Sequence, residues 1–84
     1  MYITIGIYQN KSYKTNIVAP EDLERHIEYN KTMRPGRLLY VDGKRVYNGL
    51  VRKDRLAEYD ELAEKIFNEM SRFKTATKPM TPYR

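Results

Sequence analysis

Seven cations crowd residues 34 to 55: Arg34, Arg37, Lys44, Arg45, Arg52, Lys53 and Arg55, opposed only by Asp42 and Asp54. The excess of five matches the formal net charge of +5 carried by the whole 84-residue chain. Arginine offers a rigid planar fork of donors, and neutralising several phosphates releases condensed counterions, so such a cluster suits a phosphate-rich ligand. The plainer alternative is a solubilising rim in which Lys and Arg guard exposed sheet edges. What favours binding is the sorting of charge: the acidic residues concentrate in 20–33 and 56–70, away from the cluster, which gives the molecule a directional field.

Tyrosine adds a second chemistry. There are eight Tyr and no Trp, and Tyr2, Tyr8, Tyr13, Tyr40 and Tyr47 fall in segments that read as strands. A two-residue turn at Asp42-Gly43 places Tyr40, Arg45 and Tyr47 on one face, with Leu39, Val41 and Val46 toward the helices. An open face showing Tyr beside Arg could stack bases and hold their phosphates. A three-residue loop would instead turn Tyr40 inward. Tyr also favours half-buried strand positions or a dimer interface without binding any ligand.

The residues an enzyme needs are sparse. His26 is the only histidine, and its spacing between Leu23 and Asn30 reads as packing at a helix–sheet boundary or a solvent-facing position, not as a metal ligand. Ten of the eleven carboxylates lie in Glu21–Glu28 or Asp54–Glu69, where they read as helix-start and solvent-facing charges. No phosphate-cradling glycine loop, nucleophile elbow or zinc spacing occurs. The expectation is a non-enzymatic protein with no cofactor and no metal.

The elements that position these side chains follow from periodicity. YITIGIY alternates strictly, with Ile3, Ile5 and Ile7 on one face, and SYKTNIV follows a short polar turn. A three-residue loop pairs Ile7 with Tyr13, Ile5 with Thr15 and Ile3 with Ile17. APEDLERHIEYNKTM reads as a helix, with Pro20 in its first turn and Leu23, Ile27 and Asn30 or Met33 at helical spacing. Pro35 and Gly36 end it, and RLLYV and KRVYNGL flank Asp42-Gly43, a strong hairpin signal. The last helix begins near Lys53 and carries a stripe of Leu56, Tyr59, Ala63, Ile66, Phe67 and Met70.

An offset of 33 residues aligns Ile5 with Leu38, Ile7 with Tyr40 and Leu23 with Leu56, a candidate ββα duplication that any two hairpin–helix units would partly mimic. The predicted fold class is α+β: tandem ββα units (ββαββα) over 1–33 and 34–73, forming a four-stranded antiparallel sheet with both helices on one face. One domain over 1–73 is expected, followed by a flexible basic tail over 74–84. The chain has no Cys and no apolar run near the roughly 20 residues a membrane span needs, so a cytoplasmic protein without a membrane partner is expected.

The segment HIEYNKTMRPGRLLYVDGKRVYNG resembles small uncharacterised proteins of phages and mobile elements. That resemblance implies an accessory or counter-defence role and carries over no residue roles. Three functions stay open: binding of nucleic acid through Arg34, Arg37, Lys44, Arg45, Arg52, Lys53 and Arg55 with Tyr40 and Tyr47, sequestration of a nucleotide messenger, and blocking of a protein partner. A homodimer is compatible with each.

Overall fold

A computed structural model describes residues 1–49 and 53–76. The strands β1 (Tyr2–Tyr8) and β2 (Tyr13–Val18) lead through a 3-10 turn at Pro20–Asp22 into α1 (Leu23–Met33). A second hairpin, β3 (Arg37–Val41) and β4 (Lys44–Asn48), is followed by a 3-10 turn at Lys53–Arg55 and by α2 (Leu56–Ala76). The order is ββαββα. Because α2 runs to Ala76, the first three residues of the expected tail are helical; residues 77–84, and with them the rest of that expectation, lie outside the described residues. Among the described residues no helix is long and apolar enough to cross a membrane.

The four strands form one antiparallel sheet in the order β2-β1-β3-β4. The first hairpin adopts the register set by a three-residue loop, Ile7 opposite Tyr13, Ile5 opposite Thr15 and Ile3 opposite Ile17. Lys11 takes a positive φ of 71°, and Asn10 Oδ1 accepts the Ser12 N–H at 3.0 Å, so side-chain chemistry closes the turn. In the second hairpin Asp42 (φ 50°) and Gly43 (φ 86°) form the two-residue turn with positive φ at both centres. Asp42 also ties this turn to the start of β1, since its Oδ1 accepts the Ile3 N–H at 2.9 Å while its own N–H donates to Ile3 O at 2.8 Å.

The helices lie on opposite faces of the sheet, a correction to the expected one-face packing. Ile3, Ile5, Ile7, Leu38 and Tyr40 point to one side and form a core with Tyr59, Ala63 and Ile66 of α2. Thr4, Gly6, Arg37 and Leu39 point to the other, where His26 and Asn30 of α1 meet Thr4 and Arg37. The physical reason is connectivity. Strands β2 and β3 run parallel with β1 between them, so the chain must cross one face to join them, and α1 makes that crossing. The opposite face is left for α2, and β1 is buried on both sides along Ile3–Ile7. The offset-33 matches consequently differ in environment: Leu38 and Tyr40 face the helix of their own unit, whereas Ile5 and Ile7 face away from theirs.

Candidate phosphate-binding surface

One end of the sheet gathers four chain segments. Gly49 N–H donates to Arg37 O at 3.0 Å and the Tyr47 hydroxyl reaches Pro35 O at 3.4 Å, so the chain leaving β4 lies against the chain approaching β3. Gly49 has no room for a side chain, since a Cβ there would lie 1.9 Å from Pro35 O. The end of β1 joins them, with Tyr8 opposite Arg37. The start of α2 is held to the β1–β2 turn by the Tyr59 hydroxyl, which donates to Gln9 O at 2.8 Å, and by the Lys11–Glu58 ion pair at 2.8 Å.

Two of the sequence-selected cations emerge at this end in the open. Arg34, at the end of α1, is exposed; it donates to Met33 O at 3.0 Å and lies 5.8 Å from the Tyr29 ring. Arg55 is exposed in the turn that opens α2. Beside them Tyr8, Gln9, Asn10, Ser12 and Gly36 line a shallow depression whose exposed surface is mostly apolar. The outer face of α2 mixes Glu61, Glu64 and Glu69 with Lys65 and Arg72 and holds no surplus of positive charge.

Three other selected residues serve the fold instead. Arg37 is only 5% exposed, sunk between α1 and the sheet. Its Nε and Nη2 both donate to Asn30 Oδ1 (Nε at 2.9 Å), its Nη1 donates to the Tyr8 hydroxyl at 3.0 Å, and its guanidinium carbon sits 5.2 Å from the Tyr8 ring centre. Gly6 makes the space, because a Cβ there would fall 2.6 Å from that guanidinium carbon. Tyr40 is 1% exposed and faces α2, not the open face expected of it. Its hydroxyl donates to Asp60 Oδ1 at 2.5 Å; burial first, then the Asp60 carboxylate, push its pKa far up, so it stays a donor. Arg45 shares that face and pairs with the same carboxylate at 2.7 Å and 2.8 Å; burial is the largest single influence and opposes its charge, but the hydrogen bonds and charges of Asp60 and Tyr40 together raise the pKa.

The expected grouping of Tyr40, Arg45 and Tyr47 is broken by a β-bulge. Tyr40 opposes Arg45, but Leu39 opposes Tyr47, so Val46 is the extra residue and Tyr47 rotates to the α1 side. Lys44 is exposed at the turn, about 13 Å of strand from Arg37 and thus at the far end. Arg52 lies outside the described residues, as does the side chain of Lys53. Of the nine selected residues, the fold therefore brings Arg34, Arg55 and Tyr47 to one end, with the backbone of Lys53.

Sequence reasoning missed Asn30 and Tyr8 as the partners of Arg37. The signal for Asn30 was its place on the apolar stripe of α1, where a buried amide must find hydrogen bonds. His26 sits at the boundary between α1 and the sheet, its Nε2 3.0 Å from Thr4 Oγ1; burial, and secondarily the charge of Arg37, lowers its pKa below 6.5. No family model matches the chain, and no curated protein or solved structure matches it either.

Proposed function

We propose that the protein is a non-enzymatic binding module that holds a phosphate-rich ligand, nucleic acid first, at the end of the sheet where Arg34 and Arg55 emerge. The observation that supports this reading is the closure of the second hairpin against Pro35 and Arg37, which returns the end of β4 to the chain just after Arg34, in a protein of net charge +5. Lys53, separated from Arg55 by Asp54, belongs to the same stretch of sequence. Arg37, Tyr40 and Arg45 are engaged by Asn30, Tyr8 and Asp60 within the fold and do not touch the ligand. The absence of Cys suits a reducing compartment, and we place the protein in the cytoplasm.

The test is binding of a fluorescent 20-nucleotide single strand, and of the matching duplex, followed by anisotropy across a salt series. Neutralising two to four phosphates gives a log–log slope between about −1.8 and −3.6 for the duplex. Arg34→Glu with Arg55→Glu abolishes the binding, and Lys44→Glu, at the far end, leaves it largely intact. A salt-insensitive affinity, or no binding at low salt, overturns the reading. One mononucleotide per chain, co-purifying and released intact on denaturation, moves it to nucleotide sequestration.

A further inference from the structure

The free edge of β2 is built to pair with itself. In the first hairpin Tyr8 N–H donates to Ser12 O at 2.9 Å, which makes Tyr8–Ser12 a hydrogen-bonded pair. By alternation along an antiparallel ladder, Gly6–Lys14, Thr4–Asn16 and Tyr2–Val18 are the bonded pairs too. Tyr13, Thr15 and Ile17 therefore turn their N–H and C=O groups away from β1, toward the outer edge. These same residues carry the exposed apolar surface of the strand: Tyr13 is 50% and Ile17 53% exposed, on the side where α2 covers β1 and β4.

We propose that the protein forms a twofold homodimer in which β2 pairs antiparallel with β2 of a second copy, centred on Thr15. This register sets Thr15 opposite Thr15 of the second copy and Tyr13 opposite its Ile17, twice by symmetry. All six outward backbone groups of 13, 15 and 17 on each chain then find partners, giving six hydrogen bonds across the axis. Tyr against Ile is a favourable cross-strand pair, and both exposed side chains are covered. On the other face Lys14 meets Asn16 of the second copy, so no like charges oppose one another. Shifting the register by one residue would set Tyr13 against the opposite face and leave outward groups unmatched. The charge pattern, the apolar pattern and the hydrogen-bonding pattern of β2 thus select the same partner, another copy of the chain.

The closing experiment reads oligomeric state and geometry together. Sedimentation equilibrium of the full chain at concentrations up to about 1 mM gives twice the 10.1 kDa chain mass. Thr15→Pro removes only an outward N–H, which the fold of one chain does not use, and converts the dimer to a folded monomer. Thr15→Cys, in a chain without other cysteines, oxidises to a covalent dimer, because a bonded pair on the axis holds its Cα atoms about 5.5 Å apart. Asn16→Cys does not, its two copies lying beyond about 7 Å. A wild-type chain that stays monomeric throughout, or a dimer that Thr15→Pro leaves intact and Thr15→Cys fails to trap, overturns the proposal; in the second case an unrelated surface holds the copies together.

Discussion

Stripping Arg37 of its acceptor is the sharpest test of how the sheet and α1 hold together. Among the described residues no carboxylate pairs with this 5%-exposed guanidinium; its polar partners are Asn30 Oδ1, which accepts two of its N–H groups, and the Tyr8 hydroxyl. Asn30→Leu keeps the helix and fills the space but deletes both of those bonds. A buried charge that loses its partner costs about 3–5 kcal/mol, a large share of the roughly 5–15 kcal/mol that keeps a small domain folded. Arg37→Met keeps most of the apolar stem and removes the charge, leaving Asn30 Oδ1 without donors at a cost of about 1–3 kcal/mol. In the double variant neither orphan exists, so its loss falls short of the sum of the single losses by at least about 1 kcal/mol. Urea unfolding at constant m-value measures all three. Additive losses, or an Asn30→Leu loss below about 1 kcal/mol, would refute the reasoning and mean that water reaches the guanidinium.

Gly6→Ala pushes a methyl into the Arg37 guanidinium and destabilises by about 1–3 kcal/mol, a loss that shrinks when Arg37→Met is already present; the same urea titration reads it. Asp42→Ala destabilises by about 2 kcal/mol by losing both the positive-φ preference and the acceptor for Ile3 N–H, while Asp42→Asn, which keeps both, costs under half as much in thermal unfolding. His26 gives a pH signature. Its pKa is lowered in the folded chain, so the unfolded chain takes up the proton first; stability is complete above about pH 6.5 and declines as pH falls below it. The slope stays well under the one-proton ceiling of about 1.4 kcal/mol per pH unit because the ring is partly exposed, and His26→Gln flattens it between pH 7 and pH 5.

The sequence made some of this legible because local chemistry decided it. The loop between β1 and β2 and the Asp42-Gly43 turn depend on residues within a few positions, and their registers follow from alternation of Ile3, Ile5 and Ile7 and from positive φ at two adjacent sites. The stripe of α2 was readable for the same reason. The second buried face was not, since Thr4 and Gly6 look like solvent-side residues in an alternating strand. Their burial depends on which face the crossover through α1 takes, a property of the whole topology. From sequence Arg37 reads as a surface cation, because charged residues are rarely buried without a carboxylate. Its destination depends on a glycine 31 positions earlier and an amide seven earlier. A single unpaired residue at Val46 reversed Tyr47, an effect that no periodicity within β4 announces.

That kink in β4 also bears on how large an assembly this chain can build. The outer margin formed by β4 is short, twisted by its irregularity and flanked by Lys44 and Arg45, features that discourage a further strand from docking there. Growth of the sheet is thus confined to the β2 side. The head-to-head pairing proposed above would consume that side on both molecules at once, so association would terminate at a pair and a fibre would have no place to start.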